Sequence, residues 1–131
     1  ALNARGIGLV QMATPITPAE RLRGLVSSCD GFLYAVTVTG VTGGSTPAGT
    51  PTSAPGSPAE YLGRLRSLAS PANLPVCAGF GIRTRENVGA LAGLADGAII
   101  GSALIDALSS GHASGRDAGS DAGNFLTSLR S

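Results

Sequence analysis

The sequence contains no lysine and no tryptophan. All nine basic residues are arginine, so Schiff-base chemistry on a lysine of this chain is excluded. Histidine occurs once, as His112, and cysteine twice, as Cys29 and Cys77. Two cysteines this far apart make neither a disulfide framework nor a zinc site. Both read as buried free thiols of a reducing compartment, and a cytoplasmic location is expected. Charge is sparse and balanced at a net +1, which gives no electrostatic footing for nucleic acid or an anionic membrane. No apolar run reaches the ~18 residues of a membrane span, and no secretory leader is expected. The chain opens on Ala1 rather than Met, so a piece of something longer is expected.

What is present is 43% hydrophobic residues, 20 glycines and 8 prolines in 131 residues. That suits one Ala/Gly-rich α/β domain with a real core. The organising stretch is Pro75 to Ala103. In it the apolar runs Val76–Ala78 and Ala98–Ile100 each end on glycine, at Gly79-Phe80-Gly81 and at Gly101-Ser102. A helix-patterned segment lies between them. Glycines at strand ends leave backbone N–H groups uncovered. A helix starting just after such a turn adds its own unpaired N–H groups and its positive dipole end. Two such turns on successive parallel strands face one rim and read as a single phosphate cradle.

Along the chain, Ile7–Met12 predicts a strand. Thr17-Pro18-Ala19-Glu20 predicts a capping box. Leu22, Leu25, Val26 and Cys29 then form one buried helical stripe. Phe32–Val38 predicts a second strand, followed by Gly40-Val41-Thr42-Gly43. Gly44–Ser57 holds only small residues and proline, and reads as a lid or as a disordered loop. Ser57-Pro58-Ala59-Glu60 is a second capping box, with Leu62, Leu65, Leu68 and Ala69 on its buried face. Leu74–Ala78 is the third strand. Thr84 caps a helix that buries Val88, Leu91, Ala92 and Ala95, and Ala98–Ile100 is the fourth strand. Ser102 is expected to cap a short helix ending near Leu108. Ser109–Gly123 reads as a polar linker holding His112, and residues 124–131 as a terminal helix.

Four strands alternating with helices, without hairpin signals, imply parallel strands and right-handed crossovers. An open doubly wound sheet and part of a (βα)₈ barrel both fit that order. A doubly wound sheet carries its glycine turn after the first strand. Here Ala13-Thr14-Pro15 stands in that place, and the glycine turns follow the last two strands, as in phosphate-binding barrels. The expected fold is α/β, the C-terminal half of a (βα)₈ TIM barrel with four parallel βα units. The half-barrel spans residues 1–108.

Gly40-Val41-Thr42-Gly43, Gly79-Phe80-Gly81-Ile82 and Gly101-Ser102-Ala103, in this order and spacing, resemble the tryptophan synthase alpha chain family over about residues 5 to 108. The resemblance implies a lyase of tryptophan biosynthesis. The reaction is retro-aldol cleavage of indole-3-glycerol phosphate to indole and glyceraldehyde 3-phosphate, with no metal or cofactor. It also implies a tryptophan synthase beta chain, or a missing first half-barrel, as partner. By the same resemblance Tyr34 lines the indole or glycerol pocket, or else is a core aromatic with its hydroxyl at the rim. Thr42 helps align a catalytic aspartate when the lid closes. Gly43, Gly79, Phe80, Gly81, Gly101 and Ser102 form the phosphate site. The family's catalytic glutamate and aspartate lie on early strands, in the half that this chain does not contain. Glu20, Glu60 and Glu86 read instead as helix-cap acids, and Asp30, Asp96 and Asp106 as turn or helix-surface acids. This chain alone is therefore expected to be inactive, and a stand-alone phosphate-binding half-barrel is the alternative.

Overall fold

Strand order decides between the open sheet and the barrel. The computed structural model describes residues 3–37, 57–79 and 81–130. Strands β1 (Gln11–Ala13), β2 (Leu33–Val36), β3 (Val76–Gly79) and β4 (Gly97–Ile99) form one parallel sheet. They stand in the order β1-β2-β3-β4. A doubly wound sheet reverses its strand order at a switch point. A sheet that runs strictly in sequence order is an arc of a barrel wall.

The register sets four rows across the sheet. Gln11, Leu33 and Val76 lie level, and so do Met12, Tyr34, Cys77 and Gly97. Ala13, Ala35, Ala78 and Ala98 make the third row, and Val36, Gly79 and Ile99 the fourth. Alternate rows face opposite sides. Leu33, Ala35, Val76 and Ala78 are fully buried on the outer face. There they pack with Leu22 of α1 (Ala19–Ser27) and with Tyr61, Leu62, Leu65 and Ala69 of α2 (Pro58–Ala69). Burying each large side chain of this layer stabilises by about 1.5–3 kcal/mol. The inner face is open: Met12 is 57% exposed on it.

Helices begin where local chemistry satisfies their first N–H groups. At α2, Ser57 Oγ accepts from the Glu60 N–H at 3.2 Å, and Glu60 Oε2 accepts from the Ser57 N–H at 2.8 Å. At α3 (Arg85–Gly89) the Thr84 and Asn87 side chains make the same reciprocal pair. The predicted box at Thr17 does not form. Thr17 Oγ1 accepts instead from the Thr14 N–H at 2.9 Å, so that Pro18, not Thr17, is the residue before the helix. A capping box needs its acid three residues into the helix, and that shift puts Arg21 there instead of Glu20.

Other expectations are corrected. Of the Ile7–Met12 run only Gln11 and Met12 join the ladder, extended by Ala13. Residue Leu9 pairs instead with Asp30, whose Oδ2 accepts from the Leu9 N–H and whose own N–H donates to the Leu9 carbonyl. Tyr61, absent from the expected stripe, is 4% exposed, while Leu68 is only half-buried. α3 ends at Gly89, short of the expected helix, and Ala92 is exposed, but Leu91 is buried in the core and Val88 and Ala95 pack partly against it. The residue before α4 is Gly101, and Ser102 is the first helical residue rather than its cap.

The largest correction lies at Ser109–Gly123, expected as a polar linker. It is the second half of α4 (Ser102–Ala113), a short turn, and the first part of α5 (Ala118–Ser128). His112 sits in the last turn of α4. The Ser and Gly residues of this stretch supply little helix propensity, so packing between α4 and α5 adds to what its alanines provide. Asp121 of α5 seats against Gly111, and Arg116 Nε meets Asp121 Oδ2 at 3.0 Å. Asp117 caps α5 by accepting from the Ser120 N–H at 2.8 Å. None of the described helices is long and apolar enough to cross a membrane.

Candidate functional site

The C-terminal ends of β3 and β4 lie side by side, because Gly79 is level with Ile99. The two glycine turns singled out in the sequence therefore share one rim. Gly79 closes β3, and its carbonyl accepts from the Thr37 N–H at 2.9 Å and from Thr37 Oγ1 at 3.3 Å. The lack of a side chain at Gly79 makes room for Tyr34. A Cβ at 79 would stand 2.7 Å from Tyr34 Cζ, nearer still to Tyr34 Oη, and 3.0 Å from Ile99 Cβ. Tyr34 thus rises from the second row of the open face and lays its hydroxyl over the end of β3. It is half-buried, with its hydroxyl toward the rim. Cys77 fills the neighbouring gap over Gly97, whose Cβ would stand 3.1 Å from Cys77 Sγ. Burial first, and Asp96 second, push the Cys77 thiol above its ordinary value.

Gly81 turns the chain with φ +71, a conformation that favours glycine. Ile82 then drops back into the core at 3% exposure. The next rim element is the start of α4. Gly101 has no side chain with which to cap it; α1 likewise takes no side-chain cap, whereas α2, α3 and α5 are capped by Ser57, Thr84 and Asp117. The first N–H groups of α4 have no intrahelical acceptor, and this twelve-residue helix directs its positive dipole end at the rim. The structure thus brings Tyr34, Gly79, Gly81, Gly101 and Ser102 to one edge. Thr42, Gly43 and Phe80 lie outside the described residues.

Sequence reasoning missed one feature of this rim. The guanidinium of Arg83, two residues past Gly81, forms an ion pair with Asp106 of α4. Asp106, expected as a helix-surface acid, is thereby tied to the turn after β3. The available signal was position, since each is the first charged residue after its glycine turn.

All eight acids of the chain lie among the described residues. Glu60 closes the α2 cap, and Asp30 and Asp96 bind the Leu9 and Val76 N–H groups at the opposite end of the sheet. Glu86 is exposed in the first turn of α3, and its carboxyl is held below the usual range, first by Thr84. Among the described residues, no group of three or more His, Cys, Asp or Glu side chains is placed to hold a metal ion.

The sequence model of one family, described as tryptophan synthase alpha chain, matches residues 1–127. The chain belongs to that family. The tryptophan synthase alpha chain of Novosphingobium aromaticivorans is 41% identical over 106 residues, covering 81% of this chain and 36% of that protein. That of Methanocaldococcus jannaschii is 38% identical over 100 residues, covering 76% of this chain and 32% of its own length. Solved structures agree. The alpha subunit from Legionella pneumophila superposes with a TM-score of 0.66 at 25% identity, covering 97% of this chain and 42% of that one. A chain of the tryptophan synthase a2b2 complex from Pyrococcus furiosus gives 0.69 at 26% identity, over 97% and 44%. Membership places the four-stranded arc within the TIM barrel of tryptophan synthase alpha. The matched part of the chain spans about a third of the length of these curated relatives.

Proposed function

We propose that this chain supplies the phosphate-binding half of a tryptophan synthase alpha-type lyase, which cleaves indole-3-glycerol phosphate to indole and glyceraldehyde 3-phosphate. The observation that carries the reading is the adjacency of the two glycine turns at the ends of β3 and β4, beside the uncapped start of α4. Backbone N–H groups at Gly79, Gly81, Gly101 and Ser102 serve the phosphate in this reading, together with Gly43 and Phe80. Tyr34 borders the glycerol and indole side, and Thr42 acts from the loop after β2. The open inner face, with Met12, Tyr34, Val36 and Cys77, receives a first half-barrel that brings the catalytic glutamate and aspartate. The beta chain is the further partner, as in the a2b2 assembly of the Pyrococcus furiosus protein.

The chain alone is inactive in this reading. None of its acids stands at a strand end on the open face, and each missing acid/base group costs about 10²–10⁴-fold. That same placement favours the second reading, a half-barrel that binds phosphate esters without chemistry. The deciding assay is lyase activity on indole-3-glycerol phosphate, for the chain alone and for the chain mixed with a first half-barrel carrying both acids. Activity in the mixture only is the expected result. Turnover by the chain alone overturns the assignment of missing catalysis. Silence in both, with phosphate still protecting the chain from unfolding, selects the second reading.

A further inference from the structure

We infer that Arg83 is a side-chain anion contact of the rim, and that Asp106 is the positioning residue that holds it there. The inference rests on the cradle reading above and adds to a backbone site one charged side chain. Three features place the guanidinium. The Arg83 N–H donates to Asn87 Oδ1 at 3.1 Å, so the capping box of α3 fixes the backbone from which the side chain leaves. Its Nη2 pairs with Asp106 Oδ2. Asp106 stands four residues, about one turn, beyond Ser102 on the same helix face. Helical side chains lean toward the helix N-terminus. The Asp106 carboxylate therefore leans toward the first turn of α4, and the ion pair ties the guanidinium of the turn after β3 to that helix.

The pair is built to do more than brace the fold. Its side chains are 55% and 59% exposed, and ion pairs that open to solvent contribute little to stability. A guanidinium presents five N–H donors in a rigid fork, and the Asp106 bond engages Nη2 alone. Among the described residues the remaining side-chain donors take no other partner, and they can bind a second anion arriving at the rim. That anion is a phosphate monoester or inorganic phosphate, whose oxygens match the fork. At α4, where Gly101 offers no cap, the incoming oxygens meet helix N–H groups and the guanidinium together.

The test is titration of inorganic phosphate into the full chain, followed by amide chemical shifts and by calorimetry, for the wild type, Arg83→Gln, Asp106→Asn and Asp106→Glu. Arg83→Gln is expected to weaken phosphate binding about tenfold, the scale of a charge-assisted hydrogen bond near solvent. Asp106→Asn discriminates by sign. Removing a negative charge tightens anion binding if charge alone matters, whereas loss of the anchor weakens it, by about threefold on the scale of one exposed ion pair. Asp106→Glu restores most of that loss. Melting curves without phosphate should stay close to wild type, because the pair is exposed. Should Arg83→Gln fail to fold, Arg83→Lys keeps the charge, loses the fork and gives a smaller loss of affinity. Wild-type binding with unchanged affinity in the Arg83 variant overturns this inference alone. Tighter or unchanged binding by Asp106→Asn overturns the positioning role. No phosphate binding by the wild type overturns the cradle reading and this inference with it.

Discussion

Replacing Gly79 by alanine puts a methyl group where Tyr34 now lies. The added carbon would be 2.7 Å from Tyr34 Cζ and 3.0 Å from Ile99 Cβ. Carbon atoms settle at about 3.5–4.0 Å, so the ring must retreat by roughly 1 Å. Ile99 is anchored in β4 and level with residue 79, and cannot move away from it. Tyr34 can pivot, because the open face leaves space beside it. An off-rotamer pivot costs about 0.5–1.5 kcal/mol and overpacking about 1–3 kcal/mol. The expected loss is about 1–2 kcal/mol, which lowers Tm by about 3–8 °C for a domain of this size. Thermal unfolding by circular dichroism of wild type, Gly79→Ala, Tyr34→Ala and the double variant measures it. With Tyr34 truncated, the two closest contacts of the methyl are gone, so the cycle should return a coupling of about 1 kcal/mol. An equal cost in both backgrounds would refute the packing of Tyr34 over Gly79. It would also remove the packing reason for a glycine at that strand end.

Two further predictions concern helix starts. Ser57→Ala should destabilise by about 1 kcal/mol through loss of the α2 cap, whereas Thr17→Ala, beside a helix that takes no side-chain cap, should leave the helicity of α1 nearly unchanged; urea unfolding with residue-level hydrogen exchange separates the two. At α5, hydrogen bonds from the Ser120 hydroxyl and then from its N–H hold the Asp117 carboxyl below the usual carboxylate range. A folded value below the unfolded one means that this contribution is complete above the ordinary carboxylate range and fades as pH falls through it toward the folded value. Acid titration of α4–α5 helicity should therefore be shallower in Asp117→Asn than in the wild type, and identical slopes would contradict the cap.

The two helix-start sequences TPAE and SPAE show where reading the sequence stops working. Both satisfy the capping-box spelling, yet only Ser57 forms the box. Nothing in four letters reveals that Thr14, three residues upstream, occupies the Thr17 hydroxyl. The run Ile7–Val10 has strand composition, but its backbone meets Asp30 rather than a ladder partner, and its apolar side chains stay exposed. The Ser109–Gly123 stretch has the composition of a linker and becomes helix because Asp121 fits against Gly111. That contact joins residues whose pairing no periodicity encodes.

The sequence by itself determined the βα order, the approximate places of the four strands, the capping box at Ser57, the cap at Thr84, and the family. Each depends on near neighbours or on fixed spacing: apolar runs that end on glycine, a cap and its partner three residues apart, three motifs in one order. Only the tertiary structure decided that Gly79 is vacant for Tyr34, that α4 and α5 form a packed pair, and that Arg83 and Asp106 meet across the rim. These are contacts between residues 10 to 45 positions apart in the chain. They exist because parallel strands in register bring distant turns to one edge, and a chain read one residue at a time does not show which side chains that edge will bring together.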